Sequence, residues 1–473
     1  MTNATVAQLR KTLDAESVMT DARAMAPYLT EQRGRFGGHP VAAVIRPDTT
    51  EAVARVVAAC HGAGLAVIPQ GGNTGLCGGA AARPDEQAII LSLERLDRIR
   101  SVDAEDFTLV AEAGCRLSAV QSAAAAVDRL FPLSYAAEAD CQIGGNLATN
   151  AGGMNVLRYG NARDLTLGVE VVLADGRIWH GLKRLRKDNS GFDLKDLFIG
   201  AEGSLGVITA ASLKLFPAIR QRATAIVGLD SVERAIALFS QLRQASGDAL
   251  SSCELMGRRP LEYALAHDAR CLDPLPAPHA WYLLVEASSS AEDVDLAGRL
   301  EQAMAAAAVG DYRIAGDAPT AAAFWRLRNT IPAAQKVAGA SIKNDISVPI
   351  SGMGEFIQRA GEAVIAACPG TRICAFGHLG DGNIHFNLTR PEASDDDEFL
   401  ARWADLTAVV HDEAVRLGGS FAAEHGIGQL KPAEVQRLKD PVELALMRDL
   451  KAALDPADTL NPGKVVPPGD QSA

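Results

Sequence analysis

The stretch from Cys141 to Gly160, CQIGGNLATNAGGMNVLRYG, limits what this chain can fold into more than any other. It carries five glycines, three asparagines and one threonine, and no acidic side chain. Such a segment fills no core and makes a poor helix. Its glycines let bare backbone N–H groups come close to a flat or anionic group, and Asn and Thr side chains complete the hydrogen bonding. PQGGNTGLCGG, from Pro69 to Gly79, has the same character. Two such loops point to one large phosphate-bearing cofactor held between them.

A dinucleotide fold of the usual kind does not fit. The loop after LAVIP (Leu65–Pro69) matches neither G-x-G-x-x-G nor G-x-x-x-x-G-K-[ST], and no helix start follows its last glycine. Either loop alone reads equally well as a plain long turn; a third glycine segment, GAEGSLGVIT (Gly200–Thr209), weakens that alternative. The formal net charge of −12 excludes nucleic acid and anionic membrane as chain-wide partners. No apolar run approaches the roughly 20 residues of a membrane span. The first residues, MTNATVAQLRKTLDAES, read as an amphipathic helix without the apolar centre of a signal peptide, so a cytoplasmic location is expected. Eight cysteines form no CxxC pair, as expected of reduced thiols.

The 473 residues suffice for two or three domains. Segment 1–40 reads as an N-terminal helical piece and 41–217 as a cofactor domain with too many adjacent strands for a pure βαβ succession, α+β in class. Near Pro217 the pattern changes. In 218–455, strands such as AIVGL, WYLLVEA and RICAFGH alternate with Ala-rich helices (Val232–Ala245, Ala291–Ala308, Phe399–Leu417). That predicts an antiparallel sheet with helices on one side. The acidic run Asp395–Glu398 reads as a helix start. Segment 456–473 is a proline-rich tail that should lie on another surface.

Six of the nine histidines (His39, His61, His180, His267, His279, His411) are scattered and read as surface or capping residues. The others are grouped. FGHLGDGNIHFN puts His378 and His385 at either end of a Gly-Asp-Gly turn, and AAEHGIG offers Glu424 and His425. Two imidazoles and a carboxylate form a ligand set for zinc or another divalent ion. Buried, hydrogen-bonded histidines beside a turn fit the same spacing, which alone does not choose between them. Asp381 reads as a brace for the turn.

With PQGGNTG, the Cys141–Gly160 stretch and RKDNSGFDLKDLFIGAEGSLGVIT taken together, the chain resembles flavoproteins of the vanillyl-alcohol-oxidase type from about Val41 to Pro462. Within them it is most similar to D-2-hydroxyglutarate dehydrogenases, with D-lactate dehydrogenases as near relatives. The resemblance implies an FAD-binding domain of two α+β subdomains and a cap domain with an antiparallel sheet and covering helices, the tail returning to the FAD domain. It places Gly71, Gly72, Asn73 and Thr74, flanked by Pro69 and Gly75, on the FAD pyrophosphate. Cys141, Gly144, Gly145, Thr149, Asn150, Gly152 and Gly153 then line the flavin and ribitol. Glu202, Val207 and Ile208 meet the adenosine and flavin ring, and Asn461 returns from the tail. With no His in these loops and only Cys77 and Cys141 as thiols, the FAD is expected to be non-covalent.

The same resemblance implies a divalent metal, zinc, held by His378, His385 and Glu424. His425 would take the substrate hydroxyl proton as hydride leaves C2 for flavin N5. Asn387 would hold the C1 carboxylate, and Arg328 and Lys343 a second one. Where those enzymes can carry Thr, one turn after the Arg, this chain has Pro332. That departure keeps D-lactate and D-malate open as substrates beside D-2-hydroxyglutarate; a flavin-bearing subunit of a glycolate-oxidase-type complex is the non-catalytic alternative. The acceptor implied is an electron-transfer flavoprotein or a quinone, and the assembly a homodimer.

Overall fold

The computed structural model describes residues 2–14, 16–31, 34–84 and 86–469. Met1, Ala15, Gln32 and Arg33 of the N-terminal segment, Asp85 of the segment 41–217, and 470–473 of the tail lie outside the described residues. The chain divides into two compact units: Met1–Gly152 with Asn161–Ala218 and His425–Ala473, and Gly153–Gly160 with Ile219–Glu424.

The first unit holds two main sheets. In one, Val44–Ile45, Ala88–Ser92 and Ala66–Gln70 run parallel, with Val18–Met19 antiparallel at the edge. The other is antiparallel, in the order Ile99–Asp103, Thr108–Glu112, Val207–Lys214, Thr166–Val172, Ile178–Gly181. Helix Thr50–Ala63 begins where the Thr49 hydroxyl accepts the Ala52 N–H, and ends at Gly64 in the left-handed region (φ 61). Its Val53, Val56, Val57 and Cys60 recur at helical spacing and pack with Val67, Ile89, Leu91, Val172 and Val207 from both sheets. The tail joins the edge of the parallel sheet: the Val67 N–H donates to Thr459 O at 2.8 Å and the Asn461 N–H to Val67 O at 3.0 Å.

The second unit is built on one antiparallel sheet whose path runs Tyr312–Ile314, Gln221–Leu229, Trp281–Ser289, Leu250–Gly257, Arg372–His378, Asn383–Thr389, Ser341–Ile342; Asp345–Ser347 also pairs with Asn383–Thr389. Helices cover both faces, not one. Ala225, Val227, Leu255, Leu283 and Val285 pack under helices Val232–Ser246, Leu296–Ala306, Met353–Ala367 and Trp403–Arg416. Ile226, Met256, Leu284, Cys374 and Phe376 pack under helices Arg258–His267 and Ala318–Val337. The central strands are apolar at odd and even positions alike, so each face needs a cover.

The predicted helix Phe399–Leu417 is two helices, Asp396–Ala401 and Trp403–Arg416, broken at Arg402, whose guanidinium reaches back to Ala367 O at 2.9 Å. The acidic run does start the first of them, with Asp395 accepting the N–H groups of Asp397 and Glu398. His411 departs from the surface reading: it is buried, its ring 5.5 Å from that of Phe421. No described helix is long and apolar enough to cross a membrane.

Candidate active site

In the first unit the two glycine stretches lie against each other. A Cβ on Gly72 would sit 2.2 Å from Asp140 O, and one on Gly71 would sit 3.4 Å from Gly145 N. Between strand Ala66–Gln70 and Leu76, the N–H groups of Gly72, Asn73, Thr74 and Gly75 donate to no acceptor among the described residues. Asn73 is left-handed (φ 52), and its side-chain amide donates to Thr30 O. Gln142 Oε1 and Asn146 Nδ2, on the second stretch, are buried polar atoms without a hydrogen-bond partner among the described residues. A row of free N–H groups beside orphaned amide atoms is the donor set that a phosphate-bearing, hydrogen-bonding cofactor completes. FAD fits it.

The other expected cofactor residues are placed as follows. Cys141 is buried, and burial raises its thiol pKa. Gly144 leaves no room for a side chain, its Cβ position lying 2.7 Å from that of Ala113. The Thr149 hydroxyl donates to Gly145 O, and Asn150 accepts the Arg163 N–H while left-handed at φ 51. Gly152 closes the first segment of the unit, whereas Gly153 (φ 139) opens the short piece that belongs to the second unit. Pro69 packs against Gly203. Val207 and Ile208 are buried at the start of their strand.

Glu202 is buried and left-handed (φ 50). Burial raises its carboxyl pKa although the Ile427 and Gly428 N–H groups donate to it at 2.7 and 3.0 Å. Its carbonyl accepts the Asn461 side-chain amide at 2.7 Å. Behind Asn461, the buried Lys464 ammonium donates to Gly79 O, Ala81 O and Asn461 Oδ1, a clamp between tail and first glycine loop. Sequence reasoning missed this lysine.

In the second unit, sheet register builds the histidine group. Glu254 pairs with His378, Asp345 with His385, and Phe376 with His385. The turn 379–382 joins the two histidine strands, with Asp381 accepting the Asn383 N–H as its brace. His378 Nε2 lies 3.5 Å from one oxygen of Glu424 and His385 Nε2 lies 3.8 Å from the other. Ligand atoms about 2.0–2.1 Å from a tetrahedral ion stand about 3.4 Å apart, so this spacing suits a bound divalent cation.

Each histidine has a carboxylate behind it. His378 Nδ1 donates to Glu254 at 2.6 Å, and His385 Nδ1 faces Asp345 at 3.5 Å. Backing of this kind fixes the ring so that Nε2 points forward. Asp345 also accepts the Glu424 N–H at 2.8 Å and the Asn383 amide at 2.9 Å. The second-unit side chains whose ligand atoms all lie within 4.8 Å of one another are Asp345, His385 and Glu424; His378 enters through Glu424. His425 is bonded directly to Glu424 along the chain.

Electrostatics follow from this packing. Burial would lower the His378 pKa, but the charges of Glu254 and Glu424 raise it to about 9. Burial would raise that of Glu254, yet His378 and Arg328 bring it to about 2. A cation held by these histidines would take the place of the proton that Nε2 otherwise carries.

The expected substrate residues sit nearby in the same unit. Arg328, on helix Ala318–Val337, is buried, donates through Nε to Glu254 at 2.7 Å, and lies over the Phe376 ring. Its two terminal nitrogens donate to nothing among the described residues. Asn387 donates to Gln335 Oε1 and accepts the Asn344 N–H, and Lys343 also donates to Gln335. Glu254, Asp345 and Gln335 are the residues that sequence reasoning missed. Pro332 lies inside the helix, one turn past Arg328.

The fold and both sites now stand beside known proteins. Residues 41–181 match the family profile "FAD binding domain", and residues 219–465 match "FAD linked oxidases, C-terminal domain". This chain belongs to the FAD-linked oxidases. A protein named D-2-hydroxyglutarate dehydrogenase from Xanthomonas citri pv. viticola is 35% identical over 467 residues, 98% of this chain and 97% of that one. A mitochondrial protein of the same name from Bos taurus is 37% identical over 428 residues, 90% of this chain and 76% of that one. The solved structure of p-cresol methylhydroxylase superposes with a TM-score of 0.76 at 18% identity, covering 98% of this chain and 96% of that one, and shows the shared fold. This FAD-linked oxidase is therefore an FAD-dependent oxidoreductase.

Proposed function

We propose that this FAD-linked oxidase is a metal-dependent D-2-hydroxy acid dehydrogenase whose substrate is D-2-hydroxyglutarate and whose product is 2-oxoglutarate. The observation that carries the reading is the pair of imidazoles presenting Nε2 to the two oxygens of one carboxylate, Glu424, with an arginine of free terminal nitrogens in the same unit. The relatives' names support the substrate. When bound, FAD supplies the two-electron acceptor and the divalent ion supplies Lewis acidity at the substrate hydroxyl.

His378, His385 and Glu424 would hold that ion, zinc by donor type. His425, beside Glu424 in the chain, takes the hydroxyl proton, the general-base role that imidazole fills most often. The Arg328 fork binds a carboxylate through two parallel N–H donors. Lys343 and Asn387 extend that contact through their shared partner Gln335. On this reading FAD is non-covalent, electrons leave to an electron-transfer flavoprotein or a quinone, and the enzyme works in the cytoplasm as a homodimer. A second reading, a shorter acid such as D-lactate or D-malate, is favoured by Pro332, which offers no hydroxyl one turn past Arg328.

The test is anaerobic: titrate the yellow protein with D-2-hydroxyglutarate, D-lactate and D-malate and follow flavin bleaching, before and after chelation. Bleaching by D-2-hydroxyglutarate that disappears with the metal and returns with zinc is the expected result. Undiminished bleaching after exhaustive chelation refutes the metal's role. Preferential bleaching by D-lactate or D-malate reassigns the substrate.

A further inference from the structure

We propose that Glu254 is a positioning residue that couples the metal to the substrate carboxylate, by holding His378 with one oxygen and Arg328 with the other. The inference rests on the metal and substrate reading above and deepens it.

Glu254 lies mid-sheet in strand Leu250–Gly257, 1% exposed, with His378 as its register partner on the neighbouring strand. Its Oε1 accepts from His378 Nδ1 at 2.6 Å, and its Oε2 accepts from Arg328 Nε at 2.7 Å. Only a further long contact, from the Ser252 hydroxyl at 3.4 Å, reaches this carboxylate among the described residues. An ionised carboxylate accepts and never donates, so Nδ1 keeps its proton, and the proton a cation would displace is the one on Nε2, the atom facing Glu424.

The same carboxylate sets the arginine. Engaging Nε alone leaves both terminal nitrogens as a parallel pair, and the Phe376 face, 4.8 Å from the guanidinium carbon, holds the fork's plane. Phe376 and His378 are two apart on one strand and so lie on one face of the sheet. One side chain therefore fixes the tautomer and direction of a metal ligand and the orientation of an anion receptor. Metal affinity and carboxylate affinity should rise and fall together when it is altered.

The experiment uses the purified FAD-loaded protein, stripped of metal and titrated with Co²⁺, then with oxalate in the presence of Co²⁺. Glu254→Gln keeps the shape but cannot accept from both partners: its amide nitrogen must face one N–H donor. Expected are a loss of Co²⁺ affinity of about 10- to 100-fold, the range seen when the backing partner of a metal-ligating histidine is removed, weaker oxalate binding and an altered Co²⁺ visible spectrum. In a His378→Ala background, Glu254→Gln should change Co²⁺ affinity no further, and in an Arg328→Ala background it should change oxalate affinity no further. A purely structural role predicts additive losses and an unshifted Co²⁺ spectrum.

Unchanged Co²⁺ and oxalate affinities in Glu254→Gln overturn the coupling, as does additivity in either background. If that variant does not fold, Glu254→Asp reports instead: it keeps the charge with shorter reach, and wild-type affinities in it overturn the proposal. Wild-type protein that binds no Co²⁺, or binds it equally well as His385→Ala, overturns the metal reading itself and the coupling with it. Co²⁺ binding that is lost in His385→Ala but intact in Glu254→Gln overturns the coupling alone.

Discussion

Gly72→Ala tests the first unit's cradle most directly. The added Cβ would lie 2.2 Å from Asp140 O, 3.1 Å from Asp140 C and 3.2 Å from Cys141 Cα. All three are backbone atoms, which cannot swing aside as a side-chain end does, so the two glycine stretches must separate. Forced overpacking of this kind costs about 1–3 kcal/mol. If the cofactor bridges both stretches, that strain appears in FAD binding as about a 5- to 150-fold rise in Kd. The assay is reconstitution of apo-protein followed by quenching of flavin fluorescence, with a thermal melt of the apo-protein alongside. Gly75→Ala is the control: no atom lies within 4 Å of its Cβ position and its φ is not positive. Its apo-protein should melt within about 2 °C of wild type. A Gly72→Ala protein with wild-type melting and wild-type FAD affinity would refute the contact between the stretches.

Three further outcomes are expected. Glu170 is buried, and although burial raises its pKa, Arg100, Thr50 and His180 bring it to about 2, from 4.5. The stabilisation is present above pH 4.5 and lost as pH falls towards 2, so the stability gap between wild type and Glu170→Gln, about 2 kcal/mol near neutrality, should close across that window in urea melts. Burial lowers the Lys464 pKa to about 8, the charge of Glu86 opposing, while the unfolded chain keeps its proton up to 10.5. Between those values the unfolded state binds more protons, so wild-type stability relative to Lys464→Met should rise with pH; a flat difference would contradict the buried ammonium. Finally, acid precipitation should release all yellow colour to the supernatant, since no histidine lies in the glycine loops and Cys141 is buried with a raised pKa.

Local composition carried much of this architecture. Glycine loops are legible because a run of Gly and Asn has few other uses, and the His378–His385 turn is legible because both histidines sit on one hairpin. What supports them was not. Glu254 stands 124 residues before His378 and meets it only through strand register, which depends on the whole sheet closing correctly. Asp345 reaches His385 and Glu424 by the same route. A second helical layer was missed for a related reason. Near-continuous apolar strands do not say which face is covered until both are placed.

A signal for Glu254 did exist: one charged residue inside an otherwise uncharged strand, SSCELMG, must find a partner when buried. The signal is real but unspecific. Glu112, Glu170 and Glu286 are also buried strand glutamates, and each is neutralised by arginine: Arg98 and Arg100, Arg100, and Arg222. An arginine partner therefore marks only a satisfied core charge. Glu170 even has a histidine, His180, but that side chain is 67% exposed. The His378 side chain is 8% exposed, and its far nitrogen is aimed at a second carboxylate. A buried imidazole fixed between two carboxylates does more than neutralise Glu254, which Arg328 already pairs; it presents a directed lone pair wherever a cation replaces its second proton. That difference separates Glu254 from the other three, and it is visible only in three dimensions.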